Sequence, residues 1–431
     1  MSDSELIVGL DIGTTKVCAV VAEVSREDRQ VKIIGIGDSE SKGLRKGMVV
    51  NIEDTVRSIK QAVKAAGDMA GCNIRSVYVG IAGGHIMGLN SHGVVAVQGK
   101  EVSAQDVSRV LEAARTVNIP SDREVIHTLP QEFIIDNQRG IVDPIGMTGV
   151  RLEVNVHIVT AAVSSAKNIV NCCNRANLRV EDIVLESLAS ADAVLSDEER
   201  EIGVALVDLG GGTSDMAIYE NNAIKHTSVV PLGGSNLTDD IAFGLRTPGK
   251  SAERIKIKYG CCLHELVPQD ETIEVPSVGG RPPQKMSRLT LTDICKPRME
   301  EIFTYADKVL RNVNCKDTIR AGVVLTGGAS LIEGAAALGE MIFNVPVRVG
   351  YPTNVKGLTD VVDNPKFATA VGLLHYGAKK RFAQGVTEPL PEQKPVSTPE
   401  EEQDAHGDIK DQEGLLSRIK NTMRRWFKDI A

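Results

Sequence analysis

The sequence predicts an α/β protein built from two related halves. Two distant segments, 6–24 and 203–221, share one pattern: an apolar run ends in Asp, a turn rich in Gly and Thr follows, and a second apolar run comes next. This pattern is typical of a β-hairpin. Helical and strand patterns alternate between the two segments, and such a mixture indicates helices packed on sheets.

The predicted elements between the hairpins follow from apolar periodicity. Apolar residues recur with helical spacing in 56–71 and 103–117. Ser103 lies three residues before Asp106, which predicts a capped start for the second of these helices. Runs rich in β-branched residues predict strands at 76–83 and 152–163.

Composition limits the class of protein. The chain has 431 residues, which suits two or three domains, and its 49 Lys and Arg against 57 Asp and Glu give a net charge of −8. This balance argues against a general nucleic-acid binder. The N-terminus is unlike a secretory signal and no run of about 18 apolar residues occurs, so we expect a soluble cytoplasmic body. The eight cysteines have neither zinc-ligand nor disulfide spacing and are expected to be buried thiols.

The turn of the first hairpin has the chemistry of phosphate binding. Gly13 allows the backbone to approach a polyanion closely. Thr14 and Thr15 offer hydroxyl and amide donors, and Lys16 adds a positive charge. Asp11 cannot bind phosphate directly, so it fits this site only if a hydrated Mg²⁺ ion lies between it and a nucleotide.

The second hairpin repeats this arrangement, so two turns could hold one phosphate chain from opposite sides. Its residues are Asp208, Gly210, Gly211, Gly212 and Thr213. A tight hairpin alone would explain either turn, but a third glycine turn, LTGGASLIEG (325–334), follows between a predicted strand and helix. The absence of GxxxxGK[ST] and of a GxGxxG opening a βαβ unit excludes the P-loop and Rossmann interpretations.

The three turns resemble those of a known superfamily. DIGTTK (11–16), VDLGGGTSD (207–215) and VLTGGASLIEG (324–334) are similar, in order and spacing, to the phosphate and adenosine segments of ATPases related to actin, sugar kinases and heat-shock chaperones. LPQEFIID (129–136), EVPSVGGRPPQ (274–284) and the C-terminal segment resemble the FtsA family of bacterial division proteins within it. The resemblance covers essentially the whole chain and implies the actin-like ATPase fold.

This resemblance also implies an ATP site between the halves, with Mg²⁺ held by Asp11 and Asp208 through water. Beyond the two turns, the implied nucleotide-binding residues are Gly233, Gly234, Glu253, Lys256, Gly327 and Gly328. Helices at 184–195 and 367–377 would connect the halves, and Glu186 would orient the attacking water. A solvated helix position remains the alternative for Glu186. Closure around ATP with at most weak hydrolysis also remains open.

The implied domain organisation divides the chain into six parts. They are a first-half core (1–84, 163–195 and 360–385), an inserted SHS2-like subdomain of the FtsA type (85–162), a second-half core (196–235 and 313–359), a second-half small subdomain (236–312), a disordered acidic linker (386–413) and an amphipathic helix (414–430).

The C-terminal segment contains Trp426, the only tryptophan of the chain. At about 100° per residue, seven apolar side chains share an arc of about 120°. These are Leu415, Leu416, Ile419, Met423, Trp426, Phe427 and Ile430, and the basic residues outside the arc are Arg418, Lys420, Arg424, Arg425 and Lys428. This pattern is typical of a helix that lies in the membrane interface and binds anionic lipid. Docking on the protein body or on a partner is the alternative.

The resulting functional hypothesis is a peripheral protein of the cytoplasmic face of the inner membrane at the division site. The resemblance implies docking of the C-terminal peptide of FtsZ near 285–310, with Arg288, Lys296 and Arg298 as contacts, self-association into filaments, and recruitment of later division proteins by the inserted subdomain. A small-molecule kinase of the same fold is the alternative, but no catalytic Asp base can be singled out for it. A chaperone would need a peptide-binding domain after residue 385, where only a linker and one helix remain.

Overall fold

A computed structural model of the chain describes residues 4–25, 30–277, 279 and 281–383. The described strands are β1 Ser4–Ile12, β2 Lys16–Ser25, β3 Val31–Glu40, β4 Leu44–Arg45, β5 Met48–Val49, β6 Ser76–Ile81, β7 Met87–Ala96, β8 Arg123–Ile135, β9 Gln138–Ile141, β10 Arg151–Ala162, β11 Arg179–Leu185, β12 Val204–Leu209, β13 Ser214–Glu220, β14 Ala223–Val230, β15 Thr272–Val275, β16 Gln284–Ser287, β17 Val323–Thr326, β18 Val347–Val349 and β19 Lys356–Gly357.

The described helices confirm the predicted α/β class. They are α1 Ile52–Ala70, α2 Ala104–Arg115, α3 Val163–Arg175, α4 Glu186–Val194, α5 Asp197–Ile202, α6 Gly234–Gly244, α7 Gly249–Tyr259, α8 Arg288–Asn312, α9 Ala335–Phe343, α10 Thr359–Val362 and α11 Ala368–Ala383, with 3₁₀ turns at His264–Leu266, Gly328–Leu331 and Pro365–Phe367. Within the described ranges, no helix has the length and apolar character needed to cross a membrane.

Two sheets of related topology form the two halves. The first has the strand order β11-β6-β1-β2-β3-β19 and the second has the order β14-β13-β12-β17-β18. In each sheet a hairpin, β1–β2 or β12–β13, is antiparallel, and its first strand pairs in parallel with a later strand, β6 or β17. Both predicted hairpins are therefore confirmed, and they occupy equivalent places in the two sheets.

Helices α4 and α11 pack against each other, and one buried core spans both sheets. This core includes Val20 of the first sheet, Leu206 of the second sheet and Val371 of α11. A side chain at Gly372 in α11 would collide with the carbonyl oxygen of Ala189 in α4, so only glycine permits this helix crossing. The two predicted connecting helices therefore form a single packed pair.

The inserted subdomain has its own sheet and helix. Its strand order is β7-β10-β8-β9, and α2 covers one face of this sheet around a separate apolar core. The predicted cap of α2 is confirmed, because the Ser103 hydroxyl accepts from the Asp106 amide while the Asp106 carboxylate accepts from the Ser103 amide. From β8, His127 Nε2 accepts a 3.0 Å hydrogen bond from the amide of Leu185, directly before α4.

The remaining elements show two further features. Helix α8 contains Pro297 and crosses the small subdomain of the second half, where it packs with α6. Strand β19 pairs with β3 of the first sheet, although the sequence analysis placed residues 356–357 in the second-half core. All eight cysteines are free, and seven of them are buried, as expected.

Candidate functional site

The first phosphate turn connects β1 to β2 and is tightly closed. The Gly13 amide donates to the Lys16 carbonyl at 2.9 Å, and Asp11 lies buried on the strand before the turn. The Lys16 ammonium donates to the carbonyl of Lys366 at 2.5 Å and lies 4.7 Å from the ring centre of Phe367. It also lies 3.8 Å from Asp11. Lys16 therefore already has three partners within the protein.

The second phosphate turn has the same construction between β12 and β13. The Gly210 amide donates to the Thr213 carbonyl at 3.0 Å. Asp208 and Asp215 are paired across the hairpin, and both are buried. The Thr213 hydroxyl donates to Asp215 Oδ2 at 2.7 Å. The repetition follows from the shared sequence pattern, in which a short glycine turn joins two antiparallel strands.

The two turns face each other in direct contact. A Cβ at Gly211 would lie 2.5 Å from Thr15 Oγ1, and a Cβ at Gly212 would lie 2.5 Å from Thr14 Oγ1. Only glycine allows the backbone of one turn to approach the hydroxyls of the other this closely. The first two phosphate turns therefore converge on one place between the halves, as the sequence predicts.

The N-terminus of α6 lies against the second turn. The Gly234 amide donates to the Gly210 carbonyl at 2.9 Å. A Cβ at Gly233 would lie 2.7 Å from that same oxygen. From α7, the Lys256 ammonium donates to the Gly234 carbonyl at 3.0 Å and pairs with Glu253 at 2.7 Å. The predicted residues of α6 and α7 are therefore contiguous with the second turn.

The third glycine turn follows β17 and lies against Asp208. Gly327 has a φ of +82°, and a Cβ there would lie 2.6 Å from the carbonyl oxygen of Leu209 and would collide with the Asp208 carboxylate. A Cβ at Gly328 would meet only the Lys366 side chain, at 3.9 Å. The helix predicted directly after this turn is first a short 3₁₀ turn, and α9 begins at Ala335.

Four carboxyl groups from four different elements meet at this site. Burial raises the pKa of Asp208 to about 6 and the pKa of Asp215 to about 7, and it also raises the pKa of Asp11. The pKa of Glu186 lies well above its ordinary value because of burial and the repulsion from the other three carboxylates. Ionising all four groups together is costly unless a cation lies among them.

Three polar residues of this site were missed by the sequence analysis. Asp215 belongs to the quoted VDLGGGTSD segment and lies two residues after Thr213, whose hydroxyl it accepts from at the start of β13. Ser190 of α4 donates to Asp208 Oδ2 at 2.5 Å, and Thr369 of α11 donates to the same oxygen at 3.3 Å. No local pattern marks these two residues, because only the packing of α4 and α11 brings them to Asp208.

The carboxyl cluster fits a hydrated divalent cation. Among the described residues, no three His, Cys, Asp or Glu side chains form a ready-made metal site. Asp215 Oδ1, however, is buried without a hydrogen-bond partner, and buried polar atoms are as a rule satisfied. A cation that keeps most of its waters could satisfy this oxygen and offset the charge of the neighbouring carboxylates.

We expect the Asp215→Asn substitution to change how stability depends on pH. Between about pH 4 and pH 7 the folded protein binds more protons at Asp215 than the unfolded chain does, because its pKa is raised on folding. The contribution of Asp215 to stability therefore falls as pH rises through this window. In metal-free buffer, the variant should gain on the order of 2 kcal/mol relative to the unaltered protein between pH 5 and pH 8. Thermal unfolding measures this gain, and parallel pH profiles would contradict the assignment.

The predicted FtsZ-docking residues all lie on α8, and they differ in how strongly each is already paired within the protein. Arg288 is largely buried and donates to the Tyr259 carbonyl, Glu271 and Glu333. Arg298 pairs with Asp240 of α6 at 2.7 Å and with Glu301. Lys296 is half-buried and has a 3.9 Å contact with Glu300. The predicted linker and membrane helix lie outside the described residues.

Comparison with known proteins identifies two family matches. The family described as "Cell division protein FtsA" matches residues 205–372, and the family described as "SHS2 domain inserted in FTSA" matches residues 83–160. The second match coincides with the sheet of the inserted subdomain. The two matches therefore agree with the FtsA family and with the inserted subdomain, both of which the sequence resemblance implied.

Curated relatives match most of the chain. A protein named "Cell division protein FtsA" from Pseudomonas aeruginosa is 54% identical over 381 residues, covering 88% of this chain and 91% of that protein. The protein of the same name from Neisseria meningitidis is 43% identical over 421 residues and covers 97% of both chains. The match with the Neisseria meningitidis protein therefore extends into the segment after residue 383.

A solved structure shares the fold. The structure titled "Crystal structure of MreB5 of Spiroplasma citri bound to ADP" has a TM-score of 0.54 at 14% identity, covering 87% of this chain and 97% of that one. At this identity the likeness concerns the fold alone. It agrees with the two related sheets and the packed pair of connecting helices.

Proposed function

Because this chain belongs to the FtsA family of cell division proteins, we propose that it is an ATP-binding scaffold that holds FtsZ filaments at the cytoplasmic membrane. The cell-division role and the actin-like fold come with the family. The relatives give no support to the small-molecule kinase alternative. The proposal concerns the ligand, the partner and the membrane contact.

Nucleotide binding rests on the convergence of the three glycine turns. The first two turns meet between the halves, and their glycines and threonines suit a polyphosphate there. Gly327 lies against Asp208 and Leu209, and Lys256 binds the Gly234 carbonyl; by the family resemblance, the adenosine would be placed near these residues. The contact between Gly211 and Thr15 is the single observation that carries this step, because it brings the two halves to one phosphate chain.

Magnesium would be held at the carboxyl cluster. Asp11 and Asp208 would bind the cation through water, and the unpartnered oxygen of Asp215 could accept from one of these waters. The bound cation would neutralise charge on the phosphates. In addition, it would lower the raised pKa values of Asp11 and Asp208, so these two carboxyl groups would be ionised when the nucleotide is bound.

Hydrolysis, if it occurs, would use Glu186 to orient water. Glu186 begins α4 and lies close to Gly80, where a Cβ would be 2.9 Å from its side chain. Its raised pKa favours the neutral form, which orients water poorly as a base. We therefore propose at most weak ATPase activity, with closure of the two halves around ATP as the main event.

The membrane contact would be the C-terminal segment 414–430. Its apolar arc and surrounding basic residues suit an interfacial helix, and each basic residue near an anionic surface contributes about 1 kcal/mol. The match of the Neisseria meningitidis relative extends past residue 383. The acidic, proline-rich linker would let the body reach a filament at a distance from the bilayer.

The docking site for the FtsZ peptide would be the surface between α6 and α8. Phe243 of α6 is 88% exposed, and the adjacent Gly244 lies against Ile294 of α8. Lys296 and Arg298 follow on α8. An exposed aromatic side chain on α6 and a cation on the adjoining α8 suit an acidic peptide with apolar anchors. Arg288 and Arg298 are less suited than Lys296, because each guanidinium is already bound to two carboxylates.

We expect the Lys296→Glu substitution to weaken binding of the FtsZ C-terminal peptide at least tenfold, because it replaces an attractive charge with a repulsive one at the docking surface. Fluorescence anisotropy of a labelled peptide would measure this change. Lys308→Glu, twelve residues farther along the same helix, is the matched control and should bind as the unaltered protein does. Equal binding by both variants would exclude this surface.

The inserted subdomain would recruit later division proteins, and the body would self-associate into filaments. These two proposals rest on the family membership alone. Neither changes the assignment of the nucleotide site. Pull-down with the inserted subdomain altered at its exposed residues would test recruitment separately from FtsZ binding.

A further inference from the structure

Residues 41–50, here called the strap, connect β3 to α1 and lie across the first phosphate turn. The Ser41 amide donates to the Thr15 carbonyl at 3.0 Å, and the Gly47 amide donates to Thr14 Oγ1 at 3.0 Å. The base of the strap is closed by Gly43, whose carbonyl accepts from the amides of Val50 and Asn51 at 2.8 and 3.0 Å. The strap is therefore fixed to the phosphate turn at its start and at its tip.

The tip of the strap is a two-residue turn with an unusual residue. Arg45 pairs with Met48, and the two residues between them, Lys46 and Gly47, have φ of +49° and +75°. Such turns favour Asn or Gly at the first position. Eight of the ten described non-glycine residues with positive φ are Asn or Asp, and Lys46 is one of the two exceptions. A side chain kept in an unfavourable conformation points to a role for that side chain.

Lys46 is placed at the opening between the two halves. A Cβ at Gly212 would lie 3.0 Å from the Cα of Lys46, so the tip of the strap touches the second phosphate turn as well as the first. On its other side, Gly47 packs against the loop after β6, where its Cβ would lie 2.9 Å from the Ala82 carbonyl. The strap thus bridges the first half and the second turn.

The two lysines of the site described above, Lys16 and Lys256, are already paired within the protein. Lys16 is bound to the Lys366 carbonyl and to Asp11, and Lys256 is paired with Glu253. Within the described residues, the Lys46 ammonium has neither an ion pair nor a hydrogen bond. A polyphosphate brought next to four buried carboxyl groups requires uncommitted positive charge nearby.

The base of the strap contains a second unsatisfied group. The hydroxyl of Ser41 is buried without a hydrogen-bond partner, next to the amide that donates to Thr15. Buried hydroxyls are normally paired, so a polar group belongs beside it. This observation is independent of the conformation of Lys46 and favours a polar ligand on the same side of the first turn.

We propose that Lys46 contacts the terminal phosphate of a bound nucleoside triphosphate and gives the site its preference for triphosphate over diphosphate. This inference rests on the proposed nucleotide function of the cleft. The adenosine side of the site is marked by Lys256, which lies against Gly234 and the Gly210 side of the second turn. Lys46 lies against Gly212. A phosphate chain starting near Lys256 and passing along the second turn therefore ends near Lys46.

The test compares the affinity for ATP with the affinity for ADP in Lys46→Asn. Asn adopts positive φ readily, so the turn is kept while the charge is removed. Isothermal titration with each nucleotide in excess Mg²⁺ should show ATP binding weakened about tenfold or more, since a charge-assisted contact to phosphate is lost. ADP binding should change by no more than about twofold. Lys46→Gly, which also favours the turn, should give the same result.

Lys42→Asn is the matched control. It removes one positive charge from the same strap, but at an exposed side chain that has only a 3.9 Å contact with Glu40. Both nucleotides should bind to it as to the unaltered protein. Equal weakening for ATP and ADP in Lys46→Asn and Lys46→Gly, or an unchanged ratio, would overturn the inference and leave the nucleotide function standing. Failure of the unaltered protein to bind either nucleotide would overturn both.

Discussion

The Gly327→Val substitution is expected to abolish nucleotide binding while the chain remains folded. Its Cβ would collide with the Asp208 carboxylate and lie 2.6 Å from the Leu209 carbonyl, at the point where the third glycine turn meets the second. A β-branched residue is also strained at a φ of +82°. We expect ATP affinity to fall at least about 100-fold, which corresponds to roughly 2.7 kcal/mol. Titration with Mg-ATP measures this loss.

Gly328→Ala is the matched control for this prediction. It alters the neighbouring glycine of the same turn, where a Cβ would meet only the Lys366 side chain at an ordinary contact distance of 3.9 Å. Affinity within about threefold of the unaltered protein is expected for it. Thermal unfolding without nucleotide should show both variants folded. Retained ATP binding by Gly327→Val would place the nucleotide elsewhere.

The Trp426→Glu substitution is expected to release the protein from anionic liposomes. An indole at the membrane interface contributes on the order of 3 kcal/mol through burial of its apolar area, so the membrane partition coefficient should fall about 100-fold. Nucleotide affinity should not change, because the segment 414–430 contributes none of the proposed nucleotide-binding residues. Liposome sedimentation and Mg-ATP titration measure the two effects separately.

Asn421→Glu provides the same charge on the opposite side of the predicted helix. At about 100° per residue, position 421 lies about 180° from the centre of the apolar arc. This variant should lose no more than about tenfold in membrane binding, through weaker attraction to anionic lipid. If Trp426→Glu weakened nucleotide binding instead, the segment would pack on the protein body rather than on lipid.

The hairpins and their glycine turns were predictable because their signals are local. A strand that ends in Asp, a short glycine turn and a second strand leave few other conformations, so 6–24 and 203–221 were assigned correctly from the sequence. Ser103 and Asp106 are likewise only three residues apart, and their reciprocal hydrogen bonds follow from that spacing. Local chemistry therefore accounts for the two hairpins and for the start of α2.

The polar contacts of the site could not be predicted from local sequence patterns. Asp208 is satisfied by Ser190 and Thr369, which come from two helices far away in the chain. Lys46 reaches Gly212 only because the strap folds back over both turns. Arg288, predicted as a contact for a peptide, is paired with Glu271 and Glu333. Each of these contacts depends on tertiary packing, for which the sequence has no periodic signal.

The most direct test of the tether is co-sedimentation of FtsZ with anionic liposomes in the presence of this protein. Two versions would be compared, the full-length chain and a chain that ends at Gly385. We predict that FtsZ pellets with liposomes in the presence of the full-length chain and remains in the supernatant with the shortened one. Equal pelleting of FtsZ with both versions would contradict the proposal that the C-terminal segment connects the division filament to the membrane.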